Sequence, residues 1–121
     1  MPVLVDTSVW VQHFRAAVPE LVALAAAGEV VTHSVVVGEL AVGGLPNRPQ
    51  TLADLRNLIR VEECTPDDAL DFLERHRLFG LGLSWGDVQL LAAADLNGVP
   101  LWTLDKRLDE QARALCLAWP P

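Results

Sequence analysis

Cations are scarce in this chain. It sets 9 Lys and Arg against 16 Asp and Glu, for a formal net charge of −7. That argues against a non-specific nucleic-acid binder, which carries a basic patch. It leaves a nuclease open, because a bound cation can reverse the sign of a local site. Lysine is represented by Lys106 alone; the other basic residues are Arg, the side chain suited to bidentate phosphate contacts. Cysteine is limited to Cys64 and Cys116. They lie far apart without Cys-x-x-Cys spacing, and read as small buried hydrophobes rather than a metal site or disulfide. No apolar run approaches the ~20 residues of a membrane span. Residues 1–5 lack the basic flank and long apolar region of a signal peptide. A cytoplasmic protein without membrane contact is the expectation.

Several chemistries are missing as well. His13, His33 and His76 form no acid–base pair, which argues against a metal-free two-histidine mechanism; each reads as structural. Neither Ser34 nor Ser84 stands in a nucleophile elbow. Gly80-x-Gly82 lacks the Lys and preceding strand of a phosphate-binding loop. Trp10, Trp85, Trp102 and Trp119 could stack on bases, but in so small a domain core packing is the expectation for all of them. There is no internal repeat and no low-complexity tract.

What is present is a chain of 121 residues, 51% hydrophobic, consistent with one globular domain over 1–121. Val3-Leu4-Val5 is a wholly apolar run, the pattern of a strand buried on both faces in a parallel sheet. It stops at Asp6-Thr7-Ser8, where Ser8 is expected to cap a short helix through Phe14. Pro19-Glu20 opens a helix to Gly28, and Val30–Thr32 is a second strand. Ser34 is expected to cap a helix over Val35–Leu40 that carries Glu39, although the β-branched Val35–Val37 would suit a strand equally well. The breaker cluster Gly43–Pro49 reads as a loop, followed by helical spacing through Leu52, Leu55, Leu58 and Ile59. Arg60–Glu62 reads as a short third strand. Thr65-Pro66-Asp67-Asp68 is a helix start, running to about Leu78. Ser84 caps the helix that carries Asp87 and ends at Asn97-Gly98. Leu101–Leu104 is a strand ending at Asp105. A last helix follows, then a candidate final strand at Leu117–Trp119. The alternation gives an α/β sandwich around a mostly parallel sheet.

Asp6 and Asp105 follow separate strands at matching positions. In a parallel sheet all strand carboxyl ends face one edge, so the two can converge. Glu39 and Asp87 lie early in helices that start near that edge. Clustered carboxylates raise one another's pKa unless a cation joins them. All-oxygen donors suit Mg²⁺ or Mn²⁺ rather than zinc. Each acid also has a plain structural alternative. Asp6 would serve as a strand-end turn or helix cap, Asp87 would complete a capping box with Ser84, Asp105 would cap the last helix, and Glu39 would face solvent.

The residues resemble a known family. Leu4-Val5-Asp6-Thr7-Ser8-Val9-Trp10 is similar to the opening motif of PIN-domain ribonucleases, in particular VapC-type toxins of type II toxin–antitoxin pairs. Glu39 in Val37-Gly38-Glu39-Leu40, Asp87 in the segment from Leu83 to Ala94, and Asp105 in the segment from Leu101 to Leu108 match the family's later acids. The resemblance spans the whole chain. It implies a three-layer α/β/α sandwich with a central sheet of four or five strands, and a Mg²⁺- or Mn²⁺-dependent endoribonuclease. It further implies RNA as substrate, a homodimer, and a cognate VapB-type antitoxin protein that blocks the acidic site and with which a higher assembly can form. By this reading Asp6 and Asp87 hold the metal most directly. Glu39 and Asp105 complete the set or orient the attacking water. Thr7, Ser8 and Thr103 orient the carboxylates. After the fourth acid the chain reads Lys106-Arg107-Leu108-Asp109-Glu110 rather than the family's commoner Asn- or Asp-rich segment, which makes Asp109 a candidate assistant. Arg48, Lys106 and Arg107 are candidate phosphate contacts. The competing readings fit less well. A receiver-like phospho-accepting domain wants two adjacent acids after the first strand, and a dehalogenase-type phosphatase wants a second Asp where Ser8 stands. A catalytically inactive PIN-fold binding module would not need all four acids.

Overall fold

Four very short strands carry the architecture: β1 (Val3–Val5), β2 (Val30–Thr32), β3 (Ile59–Arg60) and β4 (Leu101–Trp102). The computed structural model describes all residues, 1–121. The strands pair in the order β3-β2-β1-β4, and every pairing is parallel. Leu4 sits at the centre of the register, opposite Val31 on one side and Leu101 on the other. Strands this short hold because β1, β2 and β4 are buried at every position. Beyond β4 the candidate final strand is reduced to one parallel bridge between Leu101 and Ala118. Pro120 and Pro121 follow at once, and without N–H groups they cannot extend a ladder.

Helices fill every crossover. α1 (Thr7–Arg15) and α2 (Pro19–Ala26) join β1 to β2, and α3 (Ser34–Val42) and α4 (Arg48–Asn57) join β2 to β3. α5 (Pro66–His76) and α6 (Trp85–Asn97) return from β3 to β4, and α7 (Lys106–Ala114) follows. The first two crossovers step one way across the sheet, and the third comes back to the far side of β1. Right-handed crossovers therefore lie on opposite faces, which gives the expected three layers. α3 packs on α1 and α4, while α5 packs on α6. The reversal opens a crevice at the carboxyl ends of β1 and β4, where sheets of this kind place their ligands.

The sequence-predicted boundaries shift for reasons of local hydrogen bonding. The cap of α1 is Asp6, not Ser8; its carboxylate accepts from Ser8 N. The cap of α3 is His33, whose Nδ1 accepts from Val35 N at 2.9 Å. Ser34 instead turns its N–H and O–H to Glu63. Thr65 and Ser84 cap α5 and α6 as expected. α4 starts inside the expected loop, at Arg48, and releases Leu58 and Ile59, so β3 begins one residue early. α5 stops at His76, because Arg77 takes a left-handed conformation. β4 stops at Trp102 rather than Leu104 because the next donors go to side chains. Leu104 N bonds Ser8 Oγ at 2.9 Å and Asp105 N bonds Thr103 Oγ1 at 3.0 Å.

Candidate active site

Asp6 is the fixed point of the crevice. It follows β1 and is 5% exposed, a buried carboxylate in need of donors. Its Oδ2 accepts from Ser8 Oγ and Thr103 Oγ1, each at 2.7 Å, and more weakly from Ser8 N at 3.4 Å. The two hydroxyls are in turn oriented by the backbone of the Leu104–Asp105 turn, whose N–H groups bond them. Two parallel relays, each an N–H to a hydroxyl to the carboxylate, thus tie the end of β1 to the end of β4. Ser8 and Thr103 are two of the three hydroxyl residues expected beside the carboxylates, with Thr7. Thr7, the next residue, reaches the other way and donates to Glu39 Oε1 at 2.7 Å.

The remaining acids are each held by one oxygen. Asp87 stands in the first turn of α6, where its Oδ2 accepts from Ser84 N at 3.0 Å and completes a capping box. Asp105 caps α7, its Oδ1 accepting from Arg107 N and Leu108 N. The capping alternatives are therefore real for both residues. The Asp87 pKa is raised, first by burial and then by the charges of Asp6 and Asp105; the Ser84 backbone bond opposes the rise. These three acids share one electrostatic field. Glu39 joins from the other side: a Cβ built on Gly86 would lie 3.7 Å from Glu39 Oε2, so the Glu39 carboxylate reaches the turn that carries Asp87.

Every one of the four thus leaves a second oxygen without a protein partner: Asp6 Oδ1, Glu39 Oε2, Asp87 Oδ1 and Asp105 Oδ2. No three His, Cys, Asp or Glu side chains form a closed group ready to hold an ion. Local anchors hold each carboxylate in its own place. The donor chemistry nonetheless suits a hard divalent cation, with only oxygens, several negative charges and a free oxygen on each acid. Next to Glu39 opens a cleft of about 700 Å³ between α1 and the end of α3, walled by Val11, Phe14, Leu40 and Leu45 and carrying Arg15.

The other candidates separate. The Asp109 carboxylate is held by Arg113 Nε at 2.8 Å, one turn along α7. Arg48 has a different task from the expected one. Its guanidinium bonds the carbonyls of Ala41 at 2.6 Å and Gly43 at 3.1 Å, closing the open end of α3. Lys106 and Arg107 are exposed in the first turn of α7. Sequence reasoning missed the His33–Glu63 pair under α3. His33 is buried and its pKa is lowered, mainly by burial, with Arg60 acting the same way and Glu63 opposing. Only the fold brings Glu63, 30 positions along the chain, to the start of α3, so no local spacing could have signalled it.

Known proteins resemble this chain in sequence and in fold. The PIN domain family profile matches residues 3–114. Ribonuclease VapC32, from two strains of Mycobacterium tuberculosis, is 44% identical over 107 residues, covering 88% of this chain and 86% of that protein. Among solved structures, the crystal structure of PAE2754 from Pyrobaculum aerophilum superposes with a TM-score of 0.62. It is 16% identical, covers 92% of this chain and 79% of that one, and so speaks for the fold alone.

Proposed function

The chain belongs to the PIN domain family, of the VapC type, and from that premise we propose that it is a Mg²⁺- or Mn²⁺-dependent endoribonuclease acting as the toxin of a type II toxin–antitoxin pair. One observation carries the reading. Asp6, buried at the end of β1, is fixed by two hydroxyls through one oxygen and keeps the other free, beside three more carboxylates disposed the same way.

In this reading Asp6 and Asp87 are the principal metal ligands, and Glu39 and Asp105 complete the set or orient the attacking water. A divalent ion, when bound, neutralises phosphate charge and acidifies water. The chain's own residues do the rest. Ser8 and Thr103 hold Asp6 in one rotamer, and Thr7 holds Glu39, so the free oxygens keep their aim. The Asp87 pKa is raised first by burial and then by repulsion from Asp6 and Asp105, and a cation would relieve the repulsive part. Lys106 and Arg107, exposed in the turn that follows Asp105, would meet the phosphates of an RNA. The substrate is RNA, the partners are a second copy of the chain and a VapB-type antitoxin, and no membrane is involved. No helix is long and apolar enough to cross one.

The test is direct. Purified protein freed of antitoxin should cleave RNA with Mg²⁺ or Mn²⁺, stop in excess EDTA, and lose activity in Asp6→Asn. Robust cleavage in EDTA would refute the mechanism. Expression alone should arrest growth, and co-expression of a neighbouring small open reading frame should relieve the arrest. Unimpaired growth with abundant folded protein would point to an inactive binding module instead.

A further inference from the structure

Trp85 is set apart from the other tryptophans. Trp10 and Trp102 are buried, and Trp119 packs on Trp102 with ring centroids 4.6 Å apart. Trp85 is 44% exposed at the first position of α6 and stacks on no other ring. The expectation that it belongs to the core is therefore wrong for this residue. Leaving so large an apolar ring in water forgoes the stabilisation that burial would give.

Its surroundings give that exposure a meaning. Asp87 follows two residues later in the same turn, which the Ser84 capping box holds rigid. The loop before it contains Gly80 and Gly82, both at positive φ, where a residue without Cβ is at ease. Gly82 also makes room for Arg107, whose guanidinium would lie 2.6 Å from a Cβ placed there. Arg107 thus lies across the loop that leads into Trp85, with Lys106 beside it in the sequence. Cations in the first turn of a helix stand against its dipole, which favours acids there, so helix stability does not explain their position. An exposed ring, the Arg107 guanidinium against the loop before it and Asp87 in its own turn thus lie close together, with Lys106 next to Asp105 in the chain.

We propose that Trp85 is a stacking platform for an unpaired RNA base beside the scissile phosphate, with Lys106 and Arg107 meeting the phosphates that flank it. The inference rests on the nuclease reading above and names a subsite of it. The exposed Phe79 and Leu81 on the same loop suit a nucleotide or a protein partner alike. The adjacent cations and acids decide for the nucleotide, since a base arrives with its phosphates. Every base offers a π-face, so the platform is tolerant of sequence. A base stacked within a duplex cannot use it, so the target is single-stranded.

The experiment compares full-length wild type, Trp85→Ala and Trp85→Phe on a fluorescein-labelled single-stranded oligoribonucleotide and on a hairpin duplex of the same composition. Binding is read in EDTA, cleavage with Mn²⁺, and oligomeric state by sedimentation velocity. Trp85→Ala should weaken single-strand binding and raise KM roughly 5- to 150-fold, the range expected for loss of one base–aromatic stack, with a smaller loss in kcat. Trp85→Phe should recover most of it, and duplex binding should change little. Wild-type affinity and KM in Trp85→Ala would overturn the proposal. So would a dimer that dissociates in Trp85→Ala, which would assign the ring to a protein interface. Wild-type protein that binds the oligonucleotide without cutting it would refute the nuclease reading, and the binding comparison would still decide the role of Trp85.

Discussion

Replacing Thr103 with Val isolates the anchor of the site. The side chains have nearly the same shape, so no cavity opens; only the hydroxyl is lost. Thr103 and Asp6 are 6% and 5% exposed, so water does not readily take the place of the missing donor. The Asp6 carboxylate loses a 2.7 Å charge-assisted hydrogen bond, a loss of about 1.5–3 kcal/mol. Asp105 N loses its acceptor too, but Asp105 is exposed and solvent compensates much of that. The sum is about 2–3 kcal/mol. For 121 residues, an unfolding entropy of about 250 cal/mol/K makes each kcal/mol worth about 4 °C, so Tm should fall by about 8–12 °C. Thr103→Ser keeps the hydroxyl and should fall much less. Ser8→Ala combined with Thr103→Val should show coupling of at least about 0.5 kcal/mol, since both hydroxyls share Asp6 Oδ2. Calorimetry or thermal fluorescence measures all of these. A Thr103→Val protein melting within about 2 °C of wild type, or strict additivity with Ser8→Ala, would refute the shared-anchor argument.

Asp87→Asn should lose RNA cleavage yet gain stability. The Asp87 pKa is raised by burial and by Asp6 and Asp105, so the native state binds more protons above the ordinary carboxylate range, and stability falls as pH rises through that window. In EDTA at about pH 8 the variant should melt above wild type, with the difference shrinking below about pH 4, where the unfolded carboxyl also protonates. Glu63 behaves oppositely. Burial pushes its pKa up, but the Ser34 hydrogen bonds, His33 and Arg60 outweigh it, and the net shift is downward. Its contribution is present above the unfolded carboxylate pKa and is lost as pH falls through the lowered native value. Glu63→Gln should destabilise by about 1 kcal/mol or less near neutrality, and the gap should close in acid on thermal melts at graded pH. Arg48→Ala should cost about 1 kcal/mol in stability and leave the salt dependence of RNA binding intact. Lys106→Ala and Arg107→Ala should each reduce the slope of log K against log salt by about 0.7. A reduced slope in Arg48→Ala would restore it as a phosphate contact.

Much of the fold was legible because it rests on local rules. Three apolar residues ending in an acid mark β1, and Thr65-Pro66 and Ser84 with Asp87 announce α5 and α6 through hydrogen bonds made within one turn. The errors fell where a donor had two acceptors to choose between. The caps at Asp6 and His33, and the early end of β4, depend on which side chain lies nearest after folding. The four acids could be picked out singly, but their relation could not. Asp6 meets Thr103 across 97 positions and Thr7 meets Glu39 across 32.

The sequence by itself determined the alternation of strands and helices, and with it a parallel sheet whose edge collects strand-end carboxylates, because hydrophobic period and turn chemistry are read within a few residues. Only the tertiary structure decided that Arg48 closes a helix, that Arg113 holds Asp109, and that Trp85 is the most exposed of the tryptophans. A charged or aromatic side chain has the same composition wherever it points. Its role is set by the neighbours that folding brings within hydrogen-bonding or packing distance.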